Sequence, residues 1–304
     1  MAQGTIIKAL SGFYYVLPEG GTTHGPDRTE SIQCRARGIF KKNKVTPLVG
    51  DKVIYEATEN GEGTVDEILP RTSELIRPPI ANVSLAVLVF SVAEPDLNLQ
   101  LLDKFLVHIE AAGIEALICL TKKDLDGEDG GDNCVPASIL PYQEMGYEVY
   151  STSSRQGWGI DAMRKRLSGT ISVFSGQSGV GKSSLLNAMM PDLRLETNEI
   201  SSRLGRGKHT TRHVELIPLE SGGWVADTPG FSQLDFSGLE AQELGGCFRD
   251  FTPFAEGCRF RGCLHHQEPG CHVRQAAESG DILPSRYEHY LLFLAEIKDR
   301  KRRY

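Results

Sequence analysis

Residues 176–183, with the sequence GQSGVGKS, limit the possible folds of this chain more than any other feature. An apolar run at 171–175 precedes them and an amphipathic run at 182–190 follows, which predicts a strand, a glycine-rich turn and a helix. In this pattern, backbone N–H groups point at phosphate oxygens, Lys182 reaches the β and γ phosphates and takes part in catalysis, and the Ser183 hydroxyl ligates Mg²⁺. The residues expected to contact the nucleotide here are Gly176, Gln177, Ser178, Gly179, Val180, Gly181, Lys182, Ser183 and Ser184.

The chain of 304 residues is long enough for two or three domains. Residues 1–70 alternate β-rich runs with turns and predict a small β-barrel of the oligonucleotide-binding (OB) type. Residues 71–236 alternate strands and helices, which predicts an α/β domain with parallel βαβ units. Residues 237–304 are rich in Cys and His and then helical from Pro284. The strand runs expected in the barrel are 12–17, 31–40, 51–57 and 63–68.

Ligands of parallel sheets bind beyond the carboxyl ends of the strands. The loops that follow residues 120, 150, 175 and 226 are therefore expected to converge on one ligand.

The loop after residue 120 reads Thr121-Lys122-Lys123-Asp124 and predicts a guanine site. The Asp124 carboxylate can accept hydrogen bonds from N1–H and the 2-amino group of guanine, and adenine offers neither donor there. The stem of Lys122 can lie across the purine. Thr121 stands where GTP-binding proteins usually carry Asn, whose amide links the base to the phosphate loop, so some affinity is expected to be lost. Backbone amides of Ser153 and Ser154 are expected at guanine O6.

Two further segments are expected to respond to the γ-phosphate. Asp227 and Gly230 belong to the sequence DTPG after the last strand, where Asp227 can hold Mg²⁺ through water and the Gly230 amide can contact the γ-phosphate. Between this segment and the phosphate loop, residues 201–213 form a polar loop in which a threonine can complete the Mg²⁺ shell. Thr211 is preferred to Thr210 because of its likeness to the Thr-Thr-Arg segments of other GTPases.

The order of these motifs along the chain is unusual. An ordinary GTP-binding domain begins with the phosphate loop and ends with the base-reading motifs, whereas here the order is TKKD, SSR, GQSGVGKS, TTR and DTPG. Circular permutation preserves the spatial arrangement of loops while moving the chain ends. The sequence therefore predicts a circularly permuted P-loop GTPase domain.

The seven cysteines indicate metal binding more than disulfide formation. Cys258, Cys263, His265 and Cys271 supply three thiolates and one imidazole, which fill a tetrahedral shell and predict one structural Zn²⁺ in a helical C-terminal domain. His266 or His272 could replace His265 as the fourth ligand. The remaining residues, expected to be plain thiols, are Cys34, Cys119, Cys134 and Cys247.

Charge and hydropathy limit the partners. The net charge of −7 argues against global attraction to nucleic acid, so a polyanion would bind the basic patches at 35–44 and 300–303, although each patch alone is equally typical of a solvated surface. Apolar runs are shorter than the roughly 18 residues of a membrane-spanning helix, and the N-terminal residues lack a secretory signal. A cytoplasmic protein with no membrane partner is expected.

The permuted motif order, the preceding β-barrel and the C-x4-C-x-H-x5-C cluster together resemble the RsgA/YjeQ family of bacterial small-ribosomal-subunit-dependent GTPases. The resemblance covers nearly the whole chain and implies binding of GTP or GDP, Mg²⁺, Zn²⁺, the small ribosomal subunit and its rRNA. A monomer is expected. The resemblance also implies a late role in subunit maturation, with GTP hydrolysis stimulated by the ribosome. Phe231 occupies the place of the usual catalytic Gln, and the resemblance makes His209 the candidate residue that positions water.

Two other functions are compatible with parts of the sequence. A nucleotide-gated RNA-binding module with negligible hydrolysis would use the same loops, and stimulation of turnover by small subunits distinguishes it from an enzyme. An ATP-using P-loop kinase would need an acceptor pocket and leaves TKKD without a role, so competition between GTP and ATP separates it from a GTPase.

Overall fold

The computed structural model describes residues 1–21, 30–58, 60–76, 78–125, 135–190, 214–227, 235–236 and 238–302. The chain forms two compact units. The first comprises Met1–Pro95, Leu117–Cys134 and Val149–Ser232, and the second comprises Asp96–Ala116, Val135–Glu148 and Gln233–Tyr304. Among the helices that the structure describes, none is both long and apolar enough to cross a membrane.

The N-terminal strands of the first unit close into a barrel with the strand order β1-β2-β3-β5-β4, and β1 also pairs with β4. The β3 and β5 strands are parallel and the other pairs are antiparallel. This is the strand order of an OB-fold, so the predicted barrel class is confirmed. Its strands are β1 (Ala2–Leu10), β2 (Phe13–Pro18), β3 (Ile32–Ala36), β4 (Lys52–Ala57) and β5 (Glu62–Ile68).

The barrel differs from the sequence prediction in two details. The β1 strand was not among the predicted runs, because the adjacent residues Ile6 and Ile7 and a register shift after Ile6 disturb its alternation. The prediction of one strand over residues 31–40 was wrong, since β3 ends at Ala36 and a short helix, α1 (Gly38–Lys42), follows.

A two-stranded hairpin follows the barrel, with β6 (Glu74–Ile76) and β7 (Pro79–Ala81). The Arg71 guanidinium donates to both carboxylate oxygens of the fully buried Asp51, at 2.7 and 2.8 Å. The hydrogen bond to Asp51 raises the pKa of Arg71 above its ordinary value, and this two-point contact fixes the start of the hairpin against the barrel.

The central strands of the first unit continue the sheet in the order β10-β9-β8-β11-β13-β12, and β12 pairs with β1 through Glu215 and Lys8. The β11 strand is parallel to β8 and to β13, whereas β12 runs antiparallel to β13. A core of parallel strands is therefore present, as the sequence predicts. The elements are β8 (Leu85–Ser91), β9 (Glu115–Thr121), β10 (Glu148–Ser151), α4 (Ile160–Leu167), β11 (Ile171–Ser175), α5 (Lys182–Met189), β12 (Glu215–Pro218) and β13 (Trp224–Asp227).

The second unit is helical and has an aromatic core. Phe248 lies 4.9 Å from Phe251 and 5.4 Å from Tyr290, between ring centroids, and all three side chains are buried. Short 3-10 helices at Leu244–Cys247 and Arg249–Phe251 lie beside and within this aromatic cluster. The helices are α2 (Leu99–Ala111), α3 (Leu140–Glu144), α6 (Thr252–Ala255), α7 (His272–Ser279) and α8 (Pro284–Arg302).

A buried ion-pair network holds this unit together. Asp103 of α2 and Arg286 of α8 are 0% and 1% exposed in their side chains and lie 2.5 Å apart, and Arg286 also bonds Asp250 at 2.7 Å. Asp103 accepts a further hydrogen bond from Tyr142 at 2.8 Å and lies 2.6 Å from His289 Nδ1. Each buried charge thus has an oppositely charged, hydrogen-bonded partner.

Candidate nucleotide-binding and metal-binding sites

The phosphate loop lies between β11 and α5, as the sequence predicts. A Cβ at Gly176 would lie 2.1 Å from the carbonyl oxygen of Val89 on the neighbouring strand, so only glycine fits there. Gly181 has a φ of 92°, in the left-handed region, and forms the N-cap of α5. The backbone of this loop therefore depends on glycine at positions 176 and 181.

The Lys182 side chain is hydrogen-bonded to the backbone of the phosphate loop. Its ammonium group donates hydrogen bonds to the carbonyl oxygens of Gly176 at 2.7 Å and Gln177 at 2.5 Å. Burial lowers the pKa of Lys182 from its ordinary value. The Lys182 ammonium is thus fixed at the phosphate loop by two backbone carbonyls.

Thr121, at the end of β9, is tied to the phosphate loop. Its side-chain hydroxyl is buried, hydrogen-bonds the carbonyl oxygen of Val180 and lies 3.1 Å from that of Phe90. The Thr121 hydroxyl therefore connects the end of β9 directly to the phosphate loop. The loss of nucleotide affinity that the sequence predicts for Thr in place of the usual Asn stays a prediction.

Asp124 and Ser153 come from different loops and meet. The Ser153 hydroxyl donates a hydrogen bond to the Asp124 carboxylate at 2.6 Å. Ser153 is fully buried, and its own N–H donates to the Trp158 carbonyl oxygen at 3.0 Å. The sequence predicted backbone amides of Ser153 and Ser154 as base contacts, but it gave no sign that the Ser153 side chain orients Asp124. A serine in the triplet SSR carries no pattern that reveals this partner.

The loop that follows β8 also reaches this region. The Lys122 ammonium donates to the carbonyl oxygen of Glu94, and the Val92 N–H donates to the Thr121 carbonyl oxygen at 3.1 Å. Both acceptors are backbone atoms. Sequence reasoning missed Glu94 because a carbonyl acceptor leaves no residue signature.

Part of the predicted site lies outside the described residues. This applies to His209, Thr210, Thr211 and Gly230, whose roles stay predictions. Asp227 ends β13, which runs parallel to β11, so its backbone lies at the edge of the sheet that carries the phosphate loop.

The predicted metal ligands Cys258, Cys263, His265 and Cys271 are brought together, with their ligand atoms within 4.8 Å of one another. The His265 Nδ1 atom lies 3.6 Å from Cys258 Sγ and 3.5 Å from Cys271 Sγ, and these two sulfurs are 3.9 Å apart. A tetrahedron with Zn–S of about 2.3 Å and Zn–N of about 2.0 Å has S···N edges of about 3.5 Å and S···S edges of about 3.8 Å. The donor set and its spacing therefore fit Zn²⁺.

The two alternative histidines are not part of this cluster. The ring of His272 packs over Gly257, where a Cβ would lie 2.0 Å from Nδ1. His266 is exposed, and its backbone N–H donates to the Glu268 carboxylate at 3.0 Å. Of the three histidines, His265 is the one whose ring faces the cysteine sulfurs.

Comparison with known proteins agrees with this architecture. Residues 3–65 match the RsgA N-terminal domain and residues 68–237 match the RsgA GTPase domain. The crystal structure titled YloQ, a circularly permuted GTPase, superposes with a TM-score of 0.81 at 50% identity, covering 99% of this chain and 96% of that one. YjeQ from Thermotoga maritima superposes with a TM-score of 0.79 at 34% identity, covering 97% and 98% of the two chains.

The fold and the site define a circularly permuted P-loop GTPase with an OB-type barrel and a Cys/His cluster whose spacing fits a metal ion. Proteins named small ribosomal subunit biogenesis GTPase RsgA from Bacillus velezensis and Bacillus subtilis are 56% and 55% identical over 304 residues, with each chain fully covered. This chain belongs to the RsgA GTPase family.

Proposed function

We propose that this protein hydrolyses GTP with the help of Mg²⁺ while bound to the small ribosomal subunit, and that it serves the late maturation of that subunit. The proposal rests on the hydrogen bonds that bring the base-reading and phosphate-binding loops together, Thr121 to Val180 and Ser153 to Asp124. The names of the full-length relatives support the choice of partner. In this proposal the protein acts as a cytoplasmic monomer.

Each residue of the nucleotide site has a defined task in this reaction. Asp124 accepts the two guanine donors, and Lys182 balances the charge of the β and γ phosphates as the bond between them breaks. Ser183 and Thr211 supply hydroxyl oxygens, the ligand type that Mg²⁺ prefers. The ion then supplies charge neutralisation at the phosphates.

His209 positions the attacking water in this proposal. An ordinary GTPase uses a Gln after the DxxG glycine, and Phe231 stands there in this sequence without a hydrogen-bonding group. An imidazole in the segment that follows the phosphate-binding helix has both donor and acceptor atoms for water.

We further propose that Cys258, Cys263, His265 and Cys271 hold one structural Zn²⁺. The four protein ligands leave no coordination position for a water, so the ion crosslinks the chain and takes no part in the hydrolysis. Metal analysis of the purified protein is expected to give about one zinc per chain, and Cys271→Ser is expected to lose it.

The deciding experiment measures phosphate release from GTP and from ATP, with and without purified small subunits. Release from GTP is expected to rise when subunits are added, and ATP is expected neither to be hydrolysed nor to compete. Lys182→Ala is expected to abolish turnover, and His209→Ala is expected to remove the stimulation while nucleotide binding persists. Turnover that is indifferent to subunits, or supported equally by ATP, would contradict the proposal.

A further inference from the structure

A short loop between two of the metal-ligand cysteines has an unusual composition. Residues 259–262 read Arg-Phe-Arg-Gly, and all four are exposed or nearly so. The Phe260 side chain is 44% exposed, and it is the one phenylalanine among the large apolar side chains that the described part of the chain leaves in solvent. A single exposed apolar residue is common. An exposed aromatic ring between two arginines, however, is suited to binding a partner that has both apolar and anionic groups.

The arginine side chains add charge to the ring. The guanidinium carbon of Arg259 lies 5.5 Å from the Phe260 ring centroid, a cation–π distance. The Arg259 backbone N–H donates to the Gly270 carbonyl oxygen at 3.1 Å, so the backbone at Arg259 is fixed. Within the described residues, neither Arg259 nor Arg261 has a carboxylate at ion-pair distance.

The neighbouring carboxylates do not cancel this charge. Glu268 lies in the same region, but its carboxylate accepts the backbone N–H groups of Leu264, His266 and Gln267 at 3.0 to 3.1 Å. Glu256 is exposed at the start of the cluster. The loop therefore presents two guanidinium groups around one aromatic ring, and neither is neutralised by an ion pair with the described part of the chain.

The ends of the loop are anchored. Cys258 and Cys263 flank it directly and converge with His265 and Cys271 within 4.8 Å. Gly262, with a φ of 72°, turns the chain back toward the cluster. A ring held on so short an anchored loop loses little conformational entropy on binding.

We propose that Phe260 stacks on an unpaired base of RNA, while Arg259 and Arg261 bind the phosphates on either side of it. An aromatic face recognises any base whose π-face is open, and guanidinium groups recognise phosphate oxygens. Bases in a duplex have no open face, so the ligand is single-stranded, bulged or looped RNA. The proposal identifies the ligand of this loop as RNA. That this RNA belongs to the small ribosomal subunit rests on the proposed function.

The first test measures the affinity of the zinc-loaded full chain for an unstructured RNA oligonucleotide and for a duplex of the same length. Phe260→Ala is expected to weaken single-strand binding about tenfold, the effect of one lost base–aromatic stack, and to leave duplex binding unchanged. Phe260→Trp is expected to bind within about twofold of the unmodified protein. Leu292→Ala is the matched control, since Leu292 is 54% exposed in the same unit, and no change is expected.

The salt dependence of RNA binding distinguishes the contribution of the Phe260 ring from that of the two arginines. The double variant Arg259→Gln, Arg261→Gln is expected to reduce the slope of log K against log salt by about 1.4, since each single-strand phosphate contact contributes about 0.7. Phe260→Ala is expected to leave this slope unchanged. An equal loss of single-strand and duplex binding, or a change of slope in Phe260→Ala, would overturn the stacking role.

The second test identifies the partner on purified small subunits. A photo-crosslinking benzoylphenylalanine at position 260 is expected to crosslink to RNA, with the same group at position 292 as the control. Crosslinks to ribosomal protein alone would overturn the proposal and leave the proposed function standing. If the unmodified protein fails to bind subunits, the proposed function fails, and the oligonucleotide measurements still decide the role of Phe260.

Discussion

The side-chain hydroxyl of Thr121 hydrogen-bonds the carbonyl oxygen of Val180, and this contact joins the end of β9 to the phosphate loop. Both residues are at most 2% exposed, so water does not compete for the bond. The two loops are 59 residues apart in sequence. With Thr in place of the usual Asn, the chain thus still links the end of β9 to the phosphate loop.

Thr121→Val tests this link, because valine has nearly the same shape without the hydroxyl. The carbonyl oxygens of Val180 and Phe90 then lose a buried donor, which is expected to cost about 1 to 2 kcal/mol. The affinity for GDP is expected to fall about tenfold, measured by titration with a fluorescent analogue. Thr121→Ser keeps the hydroxyl and is expected to bind GDP nearly as well. Equal affinities for the valine and serine variants would contradict the link.

Asp124→Asn is expected to change the base preference. Xanthine carries a carbonyl oxygen where guanine carries its 2-amino group, so an asparagine amide pairs with xanthine and repels guanine. The affinity for GTP is expected to fall about 100-fold and that for XTP to rise, as measured by competition. The amide oxygen of the substituted side chain can still accept the hydrogen bond from the Ser153 hydroxyl.

Ser153→Ala is the matched control for this experiment. It removes the hydroxyl that orients Asp124 and leaves the carboxylate in place, so we expect a loss of about tenfold in GTP affinity with no gain for XTP. If Asp124→Asn binds GTP as well as the unmodified protein does, Asp124 does not read the base.

Local patterns were sufficient to predict the elements that position the site. The strand, turn and helix around Lys182 were predicted because an apolar run, glycines and a helical stripe follow one another within about 20 residues. The OB-type barrel was predictable from the local composition of its strands and turns. The cluster of Cys258, Cys263, His265 and Cys271 was predictable from the spacing of these residues along the chain.

Long-range partners were not predictable. Asp103 and Arg286 are 183 residues apart, and each looks like an ordinary surface charge on an amphipathic helix. The contacts of Ser153 with Asp124 and of Lys122 with the Glu94 carbonyl likewise depend on how loops meet in space. The strand β1 was missed because a bulge interrupts the alternation on which strand prediction relies.

Arg286→Met is expected to destabilise the second unit strongly. It leaves the fully buried Asp103 without its cationic partner at 2.5 Å, and an uncompensated buried charge costs about 3 to 5 kcal/mol. The loss of stability is measured by urea unfolding and by amide hydrogen exchange in α8. Arg286→Lys keeps the charge without the planar guanidinium. Its free energy of unfolding is expected to lie between those of the unmodified protein and Arg286→Met.

An exposed pair in the same unit provides the control. Arg274 and Glu278 are 3.4 Å apart with side chains 32% and 67% exposed, so Glu278→Gln is expected to cost at most about 0.5 kcal/mol. A loss for Arg286→Met as small as that for Glu278→Gln would show that the buried network is not a main source of stability.

His108 is expected to make the stability of the second unit depend on pH. Its ring stacks on Phe236 at 5.2 Å, and its Nε2 atom is buried with no hydrogen-bond partner among the described residues. Burial and the nearby Lys104 lower the pKa of His108 to about 4, against the opposing effects of Asp235 and Glu296. The folded state therefore holds this imidazole neutral.

The sign of the effect follows from proton binding. Between pH 6.5 and 4 the unfolded chain binds a proton at His108 that the folded chain does not, so the free energy of unfolding falls as the pH falls through this range. The shift from 6.5 to about 4 corresponds to about 3 kcal/mol, fully present above pH 6.5. His108→Phe keeps the stacking and removes the titration, so the difference in unfolding free energy between the two proteins is expected to change by about this amount between about pH 7 and pH 4. A difference that stays constant over that range would mean that folding does not shift the pKa of His108, and the ring would then not be buried and unpaired in solution.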